Sequence, residues 1–335
     1  MNWLAKALTA GVLAVSVGSG LIACTDSTQL GDPDFTPQNT ERRFSADNSP
    51  LVLFDEAHHN FLTMHGRYRA FTQVLQSDGY TVKGSSQPFS TTHLNQADIL
   101  VIANALDRHR TDWSPPFGKA FTAQEVSAVI GWIEQGGSLF LVADHTPFPR
   151  VIDNLTAALG VEFSHGHVGE AQFNTADNTL AQHAITLAVV PALRTLPGGM
   201  SMTGFGVTSA VGGAVSAAAE QSTGQIERVR SFGGSAFKVP QSAVSLLTLG
   251  PGKIAVTPEI PFQITADIPR VDVAGWSQGA VFEFGKGRVA VFAEGMMFSS
   301  QVDSKSGKKY GLASPGAEHN EGFLLNVMHW LARAE

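Results

Sequence analysis

The chain has 335 residues, 43% of them hydrophobic and 15% charged, with a formal net charge of −7. That composition is that of a globular protein with a sizeable core. It leaves no basic footprint for nucleic acid, so none is expected as a partner.

The first 24 residues have the layout of a secretory leader. A short n-region carries Lys6, and an apolar stretch runs from Ala7 to Val17. That stretch is far below the ~20 residues a membrane-spanning helix requires. It ends in Leu21-Ile22-Ala23-Cys24, and Cys24 is the single cysteine of the chain. The tetrapeptide resembles the lipobox of bacterial lipoproteins. The resemblance implies that Cys24 is acylated and becomes the N-terminus, making the membrane a partner through the lipid. Thr25, rather than Asp, follows the cysteine, which in that family points to outer-membrane sorting. Residues 25–48 are polar and rich in Pro, Asp, Ser and Thr, and read as a flexible tether. The domain from 49 to 335 then has no thiol and no internal disulfide.

The next stretch alternates strand and helix. Pro50–Asp55 is a short apolar run ending in acid. Tyr68, Phe71, Val74 and Leu75 follow at helical spacing, and Gly79 is a stop signal. Tyr80–Lys83 and Asp98–Ala103 are the second and third strands. Thr122 and Glu125 make a capping-box pattern ahead of the stripe Val126, Val129, Ile130, Ile133. Ser138–Ala143 is a fourth strand, Val151–Leu159 a helix, and Val161–Phe163 opens a fifth strand. This rhythm predicts an α/β, three-layer sandwich with a mostly parallel sheet.

The second half changes character. Residues 195–225 form a Gly/Ala-rich insertion, read as a mobile lid or as a pair of small-residue helices. Arg228–Phe232 and Ala243–Leu249 are strand candidates. Ala280–Phe284 and Arg288–Ala293, joined by Gly285-Lys286-Gly287, predict an antiparallel hairpin. The stripe Phe323, Leu324, Val327, Met328, Leu331 predicts a closing helix.

With these elements in place, most of residues 50–170 and 228–333 resembles a class I glutamine amidotransferase-like, flavodoxin-like domain. The resemblance lies in LVLFDEAHHN, ADILVIANAL, TAQEVSAVIGWIEQGGSLFLVADHTPFP, the HAIT segment, GKGRVAVFAEGMMFSSQ and HNEGFLLNVMHWLA. It is nearest to a Cys-less branch akin to trehalose-utilisation-type and intraflagellar-transport-type domains. True amidotransferases carry a cysteine on the turn after the fourth strand. Here that turn reads Ala143-Asp144-His145-Thr146, so the resemblance implies the fold without glutaminase activity.

Open parallel sheets bind ligands beyond the carboxyl ends of their strands. Asp55, Glu56, His58, His59 and Asn60 fall there after the first strand. Asn104, Asp107 and His109 follow the third, Asp144 and His145 the fourth, and Glu294 and Ser299 the last. His319, Asn320 and Glu321 open the final helix. Carboxylates and imidazoles on one rim suit ligand binding, or acid/base chemistry with Asp144, His145 and Glu56 in catalytic roles. Strand-end Asp and Asn equally serve as caps and turn residues. No cofactor is firmly implied; a divalent metal fits the residue types, but no HExxH or paired CxxC pattern is present.

Three further motifs need a reading. His165-Gly166-His167 has HxH spacing just after the fifth strand and is read as a solvent-exposed loop, with a place on the same rim as the alternative. Gly275-Trp276-Ser277-Gln278-Gly279 has the letters of a nucleophile elbow, but a hairpin rather than a helix follows, so Ser277 is read as a strand-entry residue. Trp113, in the loop Asp112–Phe117, is a candidate rim contact for a sugar ring, whereas Trp132 belongs to a helix core stripe. The expected function is a lipid-anchored envelope protein that binds a glycan or other small ligand; the alternative is a hydrolase built on the Asp144-His145 turn.

Overall fold

The computed structural model describes residues 28–188, 225–261 and 263–334. Cys24 and all of the Gly/Ala-rich insertion except Gln225 lie outside them.

The strands in chain order are β1 (Gln29–Gly31), β2 (Leu51–Asp55), β3 (Thr81–Ser85), β4 (Ile99–Ala103) and β5 (Ser138–Val142), then the short β6 (Glu162–Phe163) and β7 (Ala171–Asn174). After the insertion come β8 (Arg228–Ser231), β9 (Phe237–Lys238), β10 (Val244–Thr248), β11 (Ile254–Val256) and β12 (Arg270–Asp272). The last four are β13 (Ser277–Phe284), β14 (Gly287–Phe292), β15 (Ser300–Asp303) and β16 (Lys309–Gly311). The helices are α1 (Arg69–Asp78), α2 (Thr91–Leu94), α3 (Ala123–Glu134), α4 (Phe148–Val151), α5 (Asp153–Ala158), α6 (Ala184–Leu187) and α7 (Asn320–Leu331).

The central sheet runs β3-β2-β4-β5-β14-β13-β9-β6, with β10 also paired to β13. Its first five members are mutually parallel. Counted along the chain they stand in the order 2-1-3-4-5, the flavodoxin-like arrangement. From β13 onward every pairing in this sheet is antiparallel. The predicted hairpin is β13–β14, with Gly279 to Phe284 facing Phe292 to Gly287.

Strand side chains alternate between faces, so each buried strand feeds two cores. Val52, Phe54, Val101, Phe140 and Phe292 join α1 and α7 on one face. Leu100, Ile102, Leu139, Leu141 and Val291 meet Val129, Trp132, Ile133, Leu155 and Leu159 of the opposite layer. Thr122 and Glu125 form the capping box at the head of α3. Gly79 ends α1 at φ 102, where a side chain would be strained and a Cβ would sit 2.2 Å from the Phe44 carbonyl oxygen.

Two expectations are corrected. Residues 25–48 are not a free tether from residue 28 onward. β1 pairs with β15, and Asp32, Phe35, Asn39 and Phe44 are buried. The backbone N–H groups of Gln38 and Asn39 donate to the Glu321 carboxylate at 2.8 Å each. This segment covers α7, all of whose residues are buried. The second correction concerns the fifth strand. It is only the two-residue β6, at the far edge and antiparallel to β9, while the fifth parallel strand is β14.

Candidate functional site

The carboxyl ends of β5 and β14 are adjacent, and each ends in an acid. Asp144 follows β5; Glu294 follows β14 and is buried. Asp144 accepts from Asn104 Nδ2 at 2.7 Å and from the Gly295 backbone N–H. Asn104 Oδ1 in turn accepts from the Asp144 N–H at 2.9 Å. Asn104 holds φ 51, a left-handed conformation that asparagine tolerates better than most residues. Glu294 accepts from the N–H groups of Met296 and Met297 at 2.8 and 2.9 Å, closing the turn after β14. Tyr68 donates to the Gly295 carbonyl at 2.9 Å beneath the same turn.

Burial disfavours the ionised forms of both acids. It raises Asp144 to about 6, against the hydrogen bonds from Asn104 and Gly295. It raises Glu294 further, to about 8, because the Asp144 charge adds to the effect of burial. Both carboxyls therefore favour the protonated form more than a free carboxyl does, Glu294 the more strongly.

The pair floors a cavity of about 520 Å³. Phe61, Trp113, Phe148 and Phe232 supply aromatic walls, and His145, His167 and Glu170 supply polar ones. Trp113 meets Phe61 and Phe148 edge-on, with centroids 5.8 and 5.9 Å apart. His145 places Nδ1 2.8 Å from the Thr146 carbonyl and stacks on His167 with centroids 4.1 Å apart. Burial, followed by the proximity of His145, lowers His167 to about 3, so it stays neutral. A larger depression of about 720 Å³ lies at the opposite, amino end of the strands, among Ser49, Asn95, Gln135 and Gly137. Its titratable lining is Asp47, Asp98 and Arg333, without a histidine.

The loop between β8 and β9 completes the floor. Ser235 donates to the Asp144 carbonyl at 2.6 Å. Gly234 stands at φ 82, where a Cβ would lie 2.1 Å from the Ala293 carbonyl oxygen. Buried Gln278 holds this loop by donating to the carbonyls of Gly233 and Ser235 at 2.8 and 2.9 Å.

The sequence-derived candidates thus divide. Asp144, His145, Asn104 and Glu294 meet at this floor. Asp55, His58 and Asn60 form a separate buried network. His58 Nδ1 lies 2.8 Å from Asp55, and its Nε2 lies 2.8 Å from Glu125. Asn60 donates to Asp55 at 3.1 Å. Burial works to lower His58, but Asp55 and Glu125 outweigh it and raise its pKa. Phe89 and Phe121 pack on the ring, with centroids 4.6 and 4.8 Å away. The network follows the carboxyl end of β2, beside β4, where the sheet order reverses and where ligands of such folds often bind. Glu56 turns away and accepts from the Met64 N–H at 3.0 Å. His59 is exposed, at φ 49. His319 accepts from the Glu227 N–H at 3.1 Å, and Asn320 clamps Arg230 through N–H and carbonyl at 3.0 and 2.8 Å. These two dock α7 against β8 rather than line the cavity. Ser277 is buried and donates to the Gly279 carbonyl at 2.8 Å, as a strand residue would.

Two site features escaped sequence reasoning. His167, expected on a solvent loop, is a cavity wall, because its backbone bridges to Val256 through bonds of 2.7 and 2.9 Å. The Gly233–Ser235 loop carries no signal beyond its glycine pair. Among the described residues, no three His, Cys, Asp or Glu side chains are arranged to hold a metal ion.

No family model matches the chain, and no curated protein matches it. Among solved structures it is similar to the mmIFT52 N-terminal domain, at 15% identity over 84% of this chain and 97% of that one, with TM-score 0.53. It also matches a protein of Parabacteroides merdae ATCC 43184 described as ThuA-like, at 9% identity over 86% and 91% of the two chains, with TM-score 0.43. These likenesses concern the fold, which is mixed α/β and flavodoxin-like.

Proposed function

We propose that the protein is a lipid-anchored envelope protein whose cavity binds a small hydroxyl-rich ligand such as a saccharide, without glutaminase activity. One observation carries this reading: aromatic walls stand over a floor of two hydrogen-bonded carboxyls. Flat apolar rings accept the C–H face of a sugar, and carboxylates accept its hydroxyl protons. The turn that holds a cysteine in true amidotransferases holds Asp144 here, so the thiol route to glutamine hydrolysis has no nucleophile. The anchor reading rests on the LIAC tetrapeptide. The test is calorimetric titration of the folded domain with a saccharide panel. Binding should weaken at least about fivefold in Trp113→Ala, the equivalent of one aromatic contact. It should be lost in Asp144→Ala. A panel with no binder rejects the reading.

A second reading is favoured by the two raised carboxyls on adjacent strand ends. One protonated and one ionised carboxyl could serve as general acid and general base in hydrolysis. It predicts turnover on a glycoside or ester panel with a bell-shaped pH profile that loses one limb in Glu294→Gln. The metal-assisted form of this reading has no ligand set among the described residues.

A further inference from the structure

The chain enters the fold at the mouth of the cavity. Gln29 begins β1 and lines the cavity, and Cys24 stands five positions before it. An extended chain spans at most ~3.6 Å per residue, so five residues allow a lipid on Cys24 to hold Gln29 no farther than about 18 Å from the bilayer surface. Because the rest of the supposed tether is packed on the domain, nothing longer separates the mouth from the cysteine.

Two surface features gather at the same place. Leu30, beside Gln29, is 53% exposed, and the cavity-lining Ile254 and Ile264 are 38% and 51% exposed. Large apolar side chains left in water are what a bilayer interface accepts. The turn between β15 and β16 is stitched to the chain's entry, with the Ser304 N–H donating to the Thr28 carbonyl at 2.7 Å. It carries exposed Lys305 and Lys308, while Lys309 pairs with Asp32 at 2.9 Å. Lysines at such a position favour anionic head groups.

We infer that the cavity opens onto the bilayer that holds Cys24, and that its ligand is the saccharide head group of a glycolipid in that bilayer. This rests on the anchored, saccharide-binding reading above. A short link to the same surface raises the effective concentration of such a head group, so modest intrinsic affinity suffices.

The test uses the acylated full chain in vesicles of phosphatidylethanolamine and phosphatidylglycerol. With Cys24 blocked by lipid, Ile264→Cys or Lys286→Cys supplies one thiol for a fluorescent probe. Ile264 marks the cavity mouth; exposed Lys286 marks the β13–β14 turn at the opposite end of the sheet. Nitroxide-labelled lipids should quench the Ile264→Cys probe several-fold more than the Lys286→Cys probe. Equal or reversed quenching overturns the inference, even if the soluble domain binds free sugar. A dihexosyl diacylglycerol in the vesicles should shift the emission of the Ile264→Cys probe, whereas the free disaccharide at the same bulk concentration should not. A response to the free disaccharide alone overturns the glycolipid assignment and leaves the saccharide reading standing. Asymmetric quenching with no response to either sugar overturns both.

Discussion

Asp144 is held by donors from the turns after β4 and β14, Asn104 and Gly295, and Glu294 by Met296 and Met297 of its own turn. The pair still favours its protonated form, and this sets a pH dependence. A carboxyl whose folded pKa exceeds its unfolded value of about 4 keeps its proton longer in the native state. Stability is therefore highest while both states are protonated, and falls as pH rises through the folded values. His58 acts in the same direction, since the stability from a raised histidine is lost as pH climbs past its folded pKa. The lowered His165, His167 and His319 gain stability as pH rises to about 6.5 and offset the carboxyls there, so the melting temperature should decline from about pH 7 to about pH 8. In Glu294→Gln the decline should be shallower, because the Glu294 charge is gone while the amide oxygen still accepts from one of the two turn N–H groups. An unchanged slope would contradict the assigned pair. His58→Ala should behave differently. It strands two buried carboxylates, Asp55 and Glu125, at a cost of about 3–5 kcal/mol in denaturant unfolding, with cavity binding retained in the folded fraction.

At the scale of elements, the legible parts were those with a strong local period. The apolar runs of β2, β4 and β5, the α1 stripe ending in Gly79, and the Thr122–Glu125 capping box each follow from spacing alone. Asp144, His145, Asn104 and Glu294 were legible as site candidates because strand ends of parallel sheets converge. The N-terminal segment was not, because its anchors Phe35 and Phe44 are isolated in polar sequence and show no period. Phe44 packs edge-on to Tyr80 at 4.7 Å and near His329 at 6.1 Å. Its truncation to Ala should cost about 3 kcal/mol. The amides of Leu30 and Asn39 should resist hydrogen exchange, which an unpacked tether would not show. His167 was misread for a related reason: its partner Val256 lies far along the chain. Gly234→Ala should lower stability by more than about 1 kcal/mol, since the new Cβ meets the Ala293 carbonyl and the strain adds to the clash. The displaced loop should also weaken cavity binding measured by calorimetry.

At the scale of the whole molecule, the parallel half and the antiparallel half join at β14, and the cavity floor is assembled there. Neither half owns the site: Asp144 comes from one, while Ser235 and Gln278 come from the other. For the anchor, Cys24→Ser should abolish incorporation of labelled palmitate and release the protein from the membrane fraction. The order of β14 has a further consequence during synthesis. Phe292 pairs with Val142, which leaves the ribosome 150 residues earlier. Until then β5 has β4 on one side and an open row of backbone donors and acceptors on the other. The nascent chain thus cannot complete its central sheet before nearly all of it has been made. The proposed export of an unfolded chain would gain time from such a layout, because the strand that closes the sheet is among the last to be made.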